Sequence, residues 1–138
     1  MTAKNRVIAT LAGTVSLFLL GWVFYGMLLM GFYEQNAGSA IGVMREEADM
    51  VWWALVLGNV FQAYFLVFVF SKWEGINSFG AGFKAGALIG LILGIGFNLI
   101  MYATSNMMNL TATLVDPLVG MIMMGITGGI IGMIAGKE

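Results

Sequence analysis

The chain has 138 residues, of which 60% are hydrophobic and 9% charged, and its 6 basic and 7 acidic side chains nearly cancel. Soluble domains carry about 25% charged residues, so water is not the solvent for most of this surface. With neither Cys nor His in the sequence, disulfides, thiolate or imidazole metal sites and a His general base are excluded, and the charge balance carries no nucleic-acid footprint.

The first apolar run covers residues 7–32. A hydrocarbon core of roughly 30 Å takes about 20 helical residues, so this run predicts a helix that tilts or emerges into the headgroups. It is far longer than a signal-peptide core of about 7–15 residues and no small-x-small site follows it, so a retained signal anchor is expected. Loop 34–49 comes next, broken by Gly38, Ser39 and Gly42. Its Glu46, Glu47 and Asp49 stand ahead of the second run, where carboxylates complement a helix dipole. The second run is 50–70, the third 83–102 and the fourth 117–135. The loop before the fourth ends in Asp116-Pro117, which predicts a helix start there, with Asp116 as cap and Pro117 in the first helical position. Backbone groups in hydrocarbon must pair within their own segment, and these runs do not alternate as barrel strands do. The expected fold is therefore all-α: one domain, 1–138, of four transmembrane helices in an antiparallel bundle.

Lys4, Arg6, Lys72, Lys84 and Lys137 fall on one side of four crossings, and Arg45 alone falls on the other. The positive-inside rule then predicts cytoplasmic N- and C-termini. Trp52, Trp53 and Tyr33 suit the outer aromatic belt and Trp73 the inner one, whereas Trp22 lies deeper and calls for a packing partner.

The 20 glycines are clustered. Gly86, Gly90 and Gly94 repeat every four residues in the third run, a step of about 400° that keeps them on one helix face. Gly125, Gly128, Gly129 and Gly132 fall in one stripe about 100° wide on the fourth. Small residues at such spacing let helices approach closely in lipid, so these seven are candidate packing residues, for contact within the chain, with a second copy, or both. Polar residues within spans are the other candidates. Asn59 and Gln62 on the second span, Asn98 and Tyr102 on the third, and Asp116 at the head of the fourth have depths compatible with one outward-facing polar pocket. Interhelical hydrogen bonding is the plainer reading of the same groups. The 12 Met residues raise Cu(I), but Met also fills apolar gaps and no Cys or His accompanies them. No metal or cofactor is expected.

The run Gly21-Trp22-Val23-Phe24-Tyr25-Gly26 resembles the Gly-x-x-Trp-Tyr-type segment of a group of small bacterial four-helix membrane proteins without an established activity. Segments 50–53, 70–80 and 102–111 are similar to membrane proteins of the Bacteroidetes group. Trp22 and Tyr25 are separated by two residues, a departure from the family's tidier Trp-Tyr pattern. The resemblance implies a four-helix fold in a bacterial inner membrane and transfers no site residues.

The expected function is that of a structural or accessory membrane protein, packing through Gly-rich faces with itself or a larger membrane complex among lipids. A small channel or transporter for a neutral or weakly charged solute is the alternative. No nucleophile–base pair, metal cluster or phosphate loop is present in the sequence, so no enzyme is expected. A retinal protein is disfavoured because Lys84 lies near a membrane end.

Overall fold

The computed structural model describes residues 1–137. Four helices are long and apolar enough to cross a membrane: Ala3–Leu28, Trp52–Lys72, Phe79–Thr104 and Leu110–Ala135. The first consists of α1 (Ala3–Val23) and a π-helical turn (Phe24–Leu28), and a short α2 (Met30–Gln35) continues it. A 3-10 turn (Glu47–Asp49) precedes α3 (Trp52–Lys72); α4 (Phe79–Thr104) and α5 (Leu110–Ala135) follow.

Short polar side chains start three of these helices by satisfying a free N–H of the first turn. Thr2 accepts from the Asn5 N–H at 3.1 Å, Ser78 from Ala81 at 3.2 Å and Asn109 from Ala112 at 2.9 Å. The last of these corrects the predicted start of the fourth span. Asn109 caps a helix that begins at Leu110, seven residues before Pro117, so Asp116 and Pro117 lie inside α5. Pro117 has no N–H for the Thr113 carbonyl and would ordinarily break the helix. Gly94 of α4 lets the neighbouring helix come close at this proline: a Cβ on Gly94 would lie 3.0 Å from Pro117 Cα.

The pairing of helices does not follow chain order. α5 packs along α4 on one side and α1 on another, and α3 rests mainly on α1 with a light touch on α5. Consecutive α3 and α4 share no extended contact. The core joins Ala9 of α1, Leu66, Val67 and Phe70 of α3, Ala85 of α4 and Ile131 of α5. All of these lie toward the end of the molecule that holds the N-terminus. α3 is buried only in its second half, at Ala63, Leu66, Val67 and Phe70, while residues 50–58 are all exposed. Trp22 makes no interior contact of the kind its depth suggests. It is 61% exposed, and its ring lies over Gly26, where a Cβ would come within 3.0 Å.

One polar contact crosses the α1–α5 interface. Ser16 Oγ and Thr127 Oγ1 are 2.8 Å apart and buried. Such interhelical bonds contribute about 0.6–2 kcal/mol in a membrane. A double-mutant cycle of Ser16→Ala and Thr127→Val, read by unfolding in mixed detergent micelles, should return a coupling in that range; strict additivity would contradict the pairing.

Candidate functional site: a carboxylate held by three helices

At the opposite end from the core, the connections are tied to each other. Gly38 donates its N–H to the Met107 carbonyl and Ala40 to that of Asn106, both at 3.0 Å. A Cβ on Gly38 would overlap the Asn106 carbonyl, so only glycine permits this approach. Asn109 donates to Asn36 twice, from its backbone N–H to the Asn36 carbonyl and from Nδ2 to Oδ1, each at 3.0 Å. The residue that caps α5 is therefore also the residue that anchors the end of α2.

This clasp brings two phenols onto one acid. Tyr25 donates to Asp116 Oδ1 at 2.9 Å and Tyr33 to the same oxygen at 2.5 Å. Asn98 Nδ2 donates to Asp116 Oδ2 at 2.9 Å and to the Gly94 carbonyl at 2.8 Å. Tyr25 and Tyr33 are eight residues apart; on a regular helix they would be separated by about 12 Å along the axis and about 80° around it. The π turn, with Leu29 N–H donating to the Phe24 carbonyl at 2.8 Å, and the break at Leu29 (φ −112, ψ 8) remove that separation. The two rings end 5.3 Å apart.

All three partners are donors, and a carboxylate is acceptor-only when ionised. Tyr33 lies beyond the Leu28 end of the first span, and burial, followed by its hydrogen bond to Asp116, pushes its ionisation upward. It thus remains a donor across the physiological range. Among the described residues, no buried side-chain N or O lacks a partner, and no group of three or more metal-ligating acids, Cys or His occurs.

Of the five residues predicted to line one pocket, the structure joins two, Asn98 and Asp116. Asn59 is half-buried and Gln62 exposed on α3, which does not pack on α4. Tyr102 is 46% exposed. The shared pocket is not assembled, because α3 packs on α1 and is kept away from α4. Two described clefts flank α3 instead. One is lined by Thr14, Val15, Phe18, Leu19 and Val56, the other by Trp52, Trp53, Val56, Leu57 and Val60. Neither includes a residue of the Asp116 cluster.

The seven glycines singled out by spacing all lie between α4 and α5. A Cβ on Gly86 would overlap the Met124 carbonyl; on Gly90 it would lie 2.6 Å from the Gly120 carbonyl, and on Gly94 it would meet Pro117. From the other side, Gly128 meets the Gly82 carbonyl, Gly132 the Ser78 carbonyl, and Gly125 and Gly129 the rings of Phe83 and Phe79.

Sequence reasoning missed Tyr33, which reads as a belt anchor, and gave Tyr25 no partner. The available signal was an acid near two phenols and an amide in a chain with few charges; the π turn that unites them leaves no spacing signature. In comparison with known proteins, no protein-family model, curated protein or solved structure matches this chain.

Proposed function

We propose that this chain is a structural or accessory protein of a bacterial inner membrane: an antiparallel four-helix bundle with both termini in the cytoplasm, which packs against a second copy or a larger membrane complex. The observation that carries this reading is the condition of α3. Its first half exposes Trp52, Trp53, Leu55, Val56 and Leu57, and an apolar cleft runs beside it along α1. The glycines of α4 and α5, by contrast, face each other. The face we assign to association is therefore the α1–α3 side, which carries the clefts, and not the glycine ridges. The Asp116 cluster supports the same reading, since a carboxylate occupied by three donors is suited to holding helix ends together.

The absence of native Cys makes site-directed crosslinking direct. Val56→Cys in native membranes should give a disulfide-linked species of higher mass under mild oxidation, and Leu93→Cys on the exposed side of α4 should not. Monomer alone at Val56, together with a strictly monomeric mass in mild detergent and no co-purifying partner, would overturn the proposal. The alternative of a small channel or transporter rests on the intramembrane acid, because ionisable residues within spans commonly mark solute paths. Liposome flux at or below that of empty vesicles across a panel of neutral solutes, unchanged by Asn98→Leu, would remove it.

A further inference from the structure

The end of the molecule opposite Asp116 gathers the basic residues. The core contacts bring the start of α1, the end of α3, the start of α4 and the end of α5 together, and the Gly136 backbone lies against the Asn77 carbonyl. Lys4, Arg6, Lys72, Lys84 and Lys137 are carried by those same four helix ends, and all five are exposed. Glu74 is the only acidic residue at this end among the described residues.

Lys84 is the most informative of the five. It is the sixth residue of α4, about one and a half helical turns in from its start. It lies about 160° around the helix from both Gly82 and Gly86, and those glycines face α5. Its side chain therefore leaves α4 on the side turned away from the bundle, beside exposed Leu88. No described carboxylate pairs with it. A lysine on a membrane-facing surface reaches along its apolar stem for the headgroup layer, where the available counter-charge is a phosphodiester. Lys72, at the last turn of α3, stands over the Phe68 ring at 5.9 Å to the centroid; this leaves its ammonium at the same rim. Trp73, 44% exposed, and Phe79, 41% exposed, supply the aromatic side chains that sit at headgroup level.

We infer that this basic rim binds anionic phospholipid headgroups of the surrounding bilayer, with Lys84 as the principal contact. The inference rests on the membrane placement of the four helices and not on the choice between accessory and transport roles. Each cation near an anionic leaflet contributes about 1 kcal/mol, which corresponds to about a fivefold change in relative binding.

The test is native mass spectrometry of the full chain in mild detergent containing equal amounts of phosphatidylglycerol and phosphatidylcholine. The intact protein should retain phosphatidylglycerol preferentially. Lys84→Gln should reduce that preference about fivefold, Lys84→Arg should keep it, and Arg45→Gln at the opposite end should leave it unchanged. Millimolar inorganic phosphate should not displace the bound lipid; displacement would indicate a site for free anions and overturn the bilayer assignment. Equal retention of the two lipids by the unaltered protein, or an undiminished preference in Lys84→Gln, would overturn the inference outright. Because Lys84 is exposed and packs on nothing in α5, Lys84→Gln should melt with the unaltered protein, and a matched melt separates lost binding from lost folding.

Discussion

Gly86→Val should destabilise the protein by about 3 kcal/mol, the upper end of the cost of overpacking a close contact. The added Cβ would overlap the Met124 carbonyl and crowd the Gly128 Cα. Both neighbours are backbone, so no rotamer change relieves the contact, and α4 must separate from α5 or shift along it. In lipid no hydrophobic drive recloses the gap, because close packing itself is what holds the helices together. Gly58→Ala is the matched control. Nothing lies within 4 Å of a Cβ placed there, and the glycine is exposed on α3. That change should be neutral or stabilise by up to about 1 kcal/mol through the lower entropy cost of ordering alanine. Thermal unfolding in mild detergent should separate the two variants cleanly. Equal melting of Gly86→Val and the unaltered protein would show that α4 and α5 do not meet at this surface.

Asp116→Leu has the second large effect. It removes the acceptor for Tyr25, Tyr33 and Asn98 in one step. Leaving buried donors unsatisfied costs about 1–3 kcal/mol each, but the tyrosines are only partly buried and water reaches some of that deficit. A total loss of about 2–4 kcal/mol is expected. Asp116→Asn keeps one carbonyl oxygen for the phenols and turns an NH2 against Asn98 Nδ2, a donor facing a donor; about half the loss is expected. Tyr33→Phe removes one donor of three and should cost about 1 kcal/mol. The order Leu, Asn, Phe is the diagnostic feature, measured by unfolding in mixed micelles. The loss of α5 capping is a separate effect, since Asn109 rather than Asp116 starts that helix. If Asp116→Leu unfolds at the same point as the unaltered protein, the cluster does not hold the π turn and α2 to α4 and α5.

The two effects act at different heights. The glycine contacts run from Gly132 with Ser78 to Gly94 with Pro117, and the acid cluster begins where they end, with Asn98 one turn beyond Gly94. Pro117, its neighbour Asp116 and the Gly94–Asn98 turn thus form one unit. Gly94 admits the proline ring, and its carbonyl accepts from the amide that holds the acid. A proline next to an acid is a helix-start signal in most sequences; in this chain it stands inside α5, packed against the facing Gly94.

Residue chemistry and spacing alone determine the class of this protein. Four runs of apolar residues with few charges leave helices long enough to cross a membrane, because backbone groups must pair internally wherever water is absent. The small-residue periodicity of 82–94 and 125–132 is likewise a local property, since side-chain direction follows from helix geometry. Only the tertiary structure decides which helices are neighbours. Asn59 and Gln62 have depths that match Asn98, yet α3 packs on α1 and keeps them away from it, and depth along a span carries no information about direction around a bundle. The start of α5 depends on Asn109 bonding Asn36 across 73 residues, and the union of Tyr25 with Tyr33 depends on the distant Asp116 carboxylate to which both donate. Both are long-range pairings, whose partners are set by the closed chain and not by the residues beside them.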